Sequence, residues 1–123
     1  MKKIFILIFT LISFDCFAVE KSTTFTKEIF NQAQLEGKTV VVNSWNKFCF
    51  TCKKQTKILD QAENKFKDVL FLSFEQKKDK EIANFLKIDY WTTIVVYKNS
   101  EEIYRSIGKT KENEIYSAIK LGI

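Results

Sequence analysis

Lys38-Thr39-Val40-Val41-Val42-Asn43-Ser44-Trp45-Asn46-Lys47-Phe48-Cys49-Phe50-Thr51-Cys52-Lys53-Lys54-Gln55 is the stretch on which the reading of this chain turns. Thr39 to Val42 are β-branched and mostly apolar, the composition of a short strand buried on both faces. Cys49 and Cys52 follow at the start of a segment that reads as helix. A spacing of three residues puts both sulfurs on one helix face, within reach of a disulfide across one turn. The free N–H groups and positive dipole end at a helix start favour a thiolate at Cys49 over a thiol. A buried strand delivering Cys-x-x-Cys to a helix N-terminus predicts a dithiol redox site.

Three separated blocks extend this. Val42 to Lys53, with Trp45 and Phe48 ahead of the cysteines, resembles the active-site segment of the thioredoxin family, the two aromatics falling on that family's active-site aromatic positions. Trp91-Thr92-Thr93-Ile94-Val95-Val96-Tyr97-Lys98-Asn99 is similar to the family's Ile-Pro-Thr, hydrophobic strand and Lys-Asn run, and Ile107-Gly108 to its late Val-Gly. The blocks span Thr39 to the C-terminus in family order. The resemblance implies a thioredoxin-like α/β fold, a central mixed sheet of about four strands flanked by helices. It also implies that Cys49 attacks and Cys52 resolves, with Trp45, Phe48, Phe50, Trp91 and Thr92 meeting the substrate.

The N-terminus reads separately. Met1-Lys2-Lys3 is a positive n-region, Ile4 to Phe14 is apolar apart from Thr10 and Ser13, and Cys16-Phe17-Ala18 offers small residues before a cleavage point. This predicts a signal peptide over residues 1–18 and one thioredoxin-like domain over 19–123, exported to a periplasmic or extracellular space. An uncleaved anchor is the alternative, although the run is short of the roughly 20 apolar residues of a membrane span. Asp15 beside Cys16 argues against a lipoprotein site. Cleavage would leave 105 of the 123 residues, enough for one compact domain. It would also leave only Cys49 and Cys52, and losing Lys2, Lys3 and Asp15 would take the net charge from +5 to +4. The basic residues are dispersed, with no block long enough for a docking tail, so nucleic acid is not an expected partner. A monomer is expected.

In order, a helix capped by Thr24 or Thr26 should run to about Glu36, with Phe25, Ile29, Phe30 and Ala33 inward and Gly37 as its stop. The helix after Cys49 should reach about Lys67 with Cys52, Leu59, Ala62 and Phe66 inward and lysines and glutamines opposite. A second central strand over Asp68 to Glu75, a helix over Lys78 to Ile88 with Ile82, Phe85 and Leu86 inward, and a hairpin over Thr93 to Ile107 follow. Thr110 should cap a last helix.

The chain departs from the family pattern at three places. Asn43 stands where the family often has a buried Asp, so a proton relay would need water or another group such as Glu75. Phe50-Thr51 between the cysteines is neither the Gly-Pro of thioredoxins nor the Pro-His of strong oxidants. The chain has no proline, and Thr92 takes the place of the family's cis-proline. A non-proline cis bond costs roughly 2.5–4 kcal/mol, so Trp91–Thr92 should be trans.

A staple role for the disulfide is weak, because so short a ring removes little chain entropy. The expected function is thiol–disulfide exchange with disulfide-containing or thiol proteins, in the reducing direction, fed by a membrane electron donor and needing no cofactor or metal. Two alternatives stand beside this protein-disulfide oxidoreductase: a binding module that kept the fold without turnover, and a two-thiolate metal carrier. The second lacks His altogether and, after cleavage, Met.

Overall fold

The computed structural model describes residues 23–123, so the predicted signal peptide lies outside the described residues. The element order is β1 (Thr23–Thr24), α1 (Lys27–Leu35), β2 (Thr39–Trp45), α2 (Phe50–Lys65), β3 (Val69–Glu75), α3 (Lys80–Leu86), β4 (Thr93–Lys98), β5 (Glu101–Ile107) and α4 (Glu112–Lys120). The sheet runs β1-β3-β2-β4-β5. β2 and β3 are parallel, joined across α2, and β2–β4 and β4–β5 are antiparallel. This is the predicted mixed sheet of four long strands, with the two-residue β1 added at its edge.

β2 sits in the middle because its apolar residues serve both faces. Val40 and Val42 join Phe25, Phe30, Phe74 and Tyr97 beneath α1 and α3, while Val41 joins Leu59, Phe71, Ile94, Ile115 and Ile119 beneath α2 and α4. The pleat sends alternate side chains to opposite sides, so an unbroken run of valines fills two cores at once. Among the described residues no helix is long and apolar enough to cross a membrane.

Local chemistry sets the boundaries. The Thr26 hydroxyl accepts the Ile29 N–H at 3.1 Å to open α1, and Gly37 closes it in the left-handed region at φ +70°. Three expectations are corrected. Ile29 is 37% exposed and Phe85 43% exposed, because both lie at the rim of their helix stripes. Phe85 instead lays its ring against Phe25 and Phe30, under the Lys27 ammonium. The residue before α4 is Lys111 rather than Thr110, and no side chain caps that helix.

Tyr97 packs edge-on against Phe30 in the α1–α3 core. Burial, and then the Glu102 carboxylate, push its phenol up to about 12. Because the unfolded chain ionises near the ordinary 10, this group adds no pH dependence below that value and withdraws stability between about pH 10 and 12. The loss should reach about 1–2 kcal/mol, and Tyr97→Phe should flatten it in urea unfolding followed across that range.

Candidate active site

β2 emerges from the core at Trp45, and the Asn46 side chain turns the chain by accepting the Lys47 N–H at 2.9 Å. Cys49 then occupies the N-cap of α2 in extended conformation (φ −115°, ψ 112°). Its carbonyl accepts the first helical bond from Lys53, and its sulfur accepts the Cys52 N–H at 3.1 Å. The sulfur therefore does what a serine or aspartate oxygen does at an ordinary N-cap. The sequence reading put both cysteines on the helix; the structure places Cys49 just ahead of it and Cys52 within its first turn. The pair forms a disulfide, with Cα atoms 5.2 Å apart. Cys49 is half-buried and Cys52 only 4% exposed. No acidic residue lies in the first turn of α2, so nothing there opposes a negative sulfur.

Two phenylalanines flank the disulfide in water, Phe48 at 89% and Phe50 at 83% exposure. Lys53 sits over the Phe50 ring at 5.7 Å, which places its charge on the aromatic face. Trp45 is half-buried and lines a cleft of about 810 Å³ with Asn43, Cys49, Cys52, Ser73 and Asp60. The carboxylate in that cleft belongs to Asp60. Glu75, offered from sequence as a relay group, lies on β3 opposite Trp45 of β2 and is not among the cleft residues. Asn43 is 8% exposed and, as an amide, takes up no proton at neutral pH. Among the described residues no three His, Cys, Asp or Glu side chains gather where a metal ion could sit.

Thr92 is where the site differs most from expectation. The Trp91–Thr92 bond is trans, like every peptide bond among the described residues. Thr92 itself takes φ +64°, the left-handed region, at a cost on the order of 1–3 kcal/mol for a β-branched residue. Its N–H donates to Ser44 O at 2.8 Å, a bond no proline could make, and its carbonyl accepts from Gly108 N at 3.0 Å. The Ser44 hydroxyl donates to Tyr90 O at 2.8 Å, and the Thr93 hydroxyl donates to the same carbonyl at 2.6 Å. Trp91 is 40% exposed beneath the Lys77 ammonium at 5.4 Å.

The sequence reading missed Gln55. It assigned the glutamines of this helix to the solvent side, yet Gln55 is 1% exposed and donates to Thr92 O at 3.1 Å and Lys109 O at 3.0 Å. The signal was present in the spacing: 52, 55, 59 and 62 form one helical stripe, and residue type hid the second member of it.

Comparison with known proteins agrees with this geometry. The Thioredoxin family model matches residues 17–121. A thioredoxin of Mycoplasma genitalium is 31% identical over 83 residues, 65% of this chain and 81% of that protein. An H-type thioredoxin of Fagopyrum esculentum is 25% identical over 89 residues, 72% of this chain and 77% of its own. In fold, the chain is similar to the thioredoxin of Nicotiana alata (TM-score 0.74, 20% identity, 83% of this chain and 92% of that one). It is likewise similar to Trxlp of Edwardsiella tarda (TM-score 0.73, 24% identity, 76% and 93%). A cysteine pair at a helix N-cap, on a sheet of this topology and within a family match of this extent, means that the chain belongs to the thioredoxin family.

Proposed function

We propose that this protein is an exported monomer that reduces disulfides in partner proteins through Cys49 and Cys52. The observation that carries the reading is the asymmetry of the pair: a half-buried Cys49 sulfur capping a helix, and a Cys52 sulfur buried one turn in. In the reduced state the Cys52 N–H remains available to a Cys49 thiolate, which attacks one sulfur of the partner's disulfide and expels the other as a thiolate. Cys52 then gives up its proton and attacks Cys49, releasing the partner's second sulfur. The partner gains two electrons and becomes a dithiol, while Cys49–Cys52 becomes a disulfide.

Phe48, Phe50 and Trp91 supply apolar surface for a polypeptide around the scissile bond, with Trp45 and Thr92 as the remaining contacts. Export rests on the charged and apolar pattern of residues 1–18 and implies a membrane-borne dithiol donor to restore the reduced pair.

The reductive direction follows from the absence of His and of any charge at Phe50-Thr51. Titration against glutathione should place the potential nearer about −270 mV than the roughly −120 mV of a strong oxidant; a value above about −150 mV would reverse the direction. The test of the function is reduction of insulin disulfides by residues 19–123, with a thiol reductant regenerating the pair. Turnover that disappears in Cys49→Ser is expected. No turnover by the unaltered protein would favour a binding module instead.

A further inference from the structure

Gln55 is a fully buried amide whose two N–H groups hold the carbonyls of two loops remote in sequence, Thr92 O at 3.1 Å and Lys109 O at 3.0 Å. It sits on the helix that carries the cysteines, three residues and about 4.5 Å along the axis beyond Cys52. One side chain thus joins the disulfide-bearing helix to the loop through Thr92 and to the loop after β5. Thr92 O accepts from Gly108 N as well, so those two loops are also joined to each other. From the other side Ser44, at the end of β2, holds Thr92 N through its carbonyl and Tyr90 O through its hydroxyl. The Thr92 hydroxyl donates locally to Trp91 O, and these polar groups hold its left-handed backbone in addition from both sides.

We infer that Gln55, with Ser44 opposite, is a positioning residue that fixes the Tyr90–Thr93 loop against α2 and so makes the site selective for disulfides within polypeptides over small disulfides. The inference rests on the exchange reading above. A small disulfide needs only an accessible Cys49 sulfur. A disulfide in a protein brings flanking chain that must lie along the site, and the exposed Tyr90 and Trp91 belong to the loop that Gln55 fixes. Misplacing such a surface by a fraction of an ångström affects the oriented, macromolecular reaction and leaves sulfur chemistry alone.

The experiment compares Gln55→Met, close in size but without donors, and Ser44→Ala, which removes one hydroxyl, with the unaltered protein. Each is assayed for exchange with insulin and with oxidised glutathione, and its redox potential is measured. The expected result is a rise of roughly tenfold or more in KM for insulin, with the glutathione rate within about twofold and the potential unchanged. Equal loss on both substrates, or no loss on insulin, overturns the inference. Failure of the unaltered protein on both disulfides overturns the exchange reading and this inference with it. If Gln55→Met does not fold, Ser44→Ala carries the comparison, and an unchanged insulin KM in that variant overturns the inference.

Discussion

Cys52→Ser is expected to accumulate mixed disulfides with partner proteins through Cys49, and Cys49→Ser to accumulate few or none, a difference of at least about a hundredfold in trapped species. The cause is position. Cys49 is half-buried at the N-cap, where its sulfur already accepts an N–H, and Cys52 lies in the core-facing stripe with Leu59 and Ala62. Removing Cys52 leaves an attacking sulfur with no partner to release it, so the intermediate persists. Removing Cys49 leaves a thiol that large disulfides do not reach. Non-reducing gels of extracts from the native host, followed by mass spectrometry, would read this and identify the partners. Equal trapping by both variants would contradict the assigned order of attack.

Thr92→Pro should destabilise the fold by about 3 kcal/mol or more in urea unfolding, even though the family carries proline at this place. The ring fixes φ near −65°, whereas Thr92 sits at +64° and donates its N–H to Ser44 O. Thr92→Gly is the control. Glycine reaches positive φ without penalty and keeps the N–H, so it should stay within about 1 kcal/mol of the parent. A proline variant as stable as the parent would show that the loop has a second backbone arrangement open to it.

What could be read from the sequence follows from where each structural cause resides. β2, β3 and β4 were legible because runs such as Val40-Val41-Val42 carry their own instruction: β-branched, apolar and long enough to cover two faces. Thr26 and Gly37 were legible because helix ends are decided by groups within a few residues. The cysteine pair was legible for the same reason, being a contact across three positions.

Gln55 and Ser44 were not, since a polar side chain is stable in the core only if it meets backbone groups supplied from elsewhere, here 37 and 54 residues away for Gln55 and 46 for Ser44. Thr92 was illegible for the opposite reason. Its side chain argues locally against the left-handed region, and the surrounding hydrogen bonds override it. Asp60, the carboxylate of the cleft, was not singled out because it arrives two helical turns beyond Cys52; water or a group such as Glu75 was the relay offered for Asn43.

The most direct test of the account is limited alkylation of the reduced protein with iodoacetamide at neutral pH, with the modified peptide identified by mass spectrometry at successive times. A sulfur at an N-cap and a sulfur buried one turn into the helix should differ in reactivity by roughly tenfold or more. The account predicts that label appears first and almost wholly on Cys49. Label appearing first on Cys52, or on both at one rate, would contradict it.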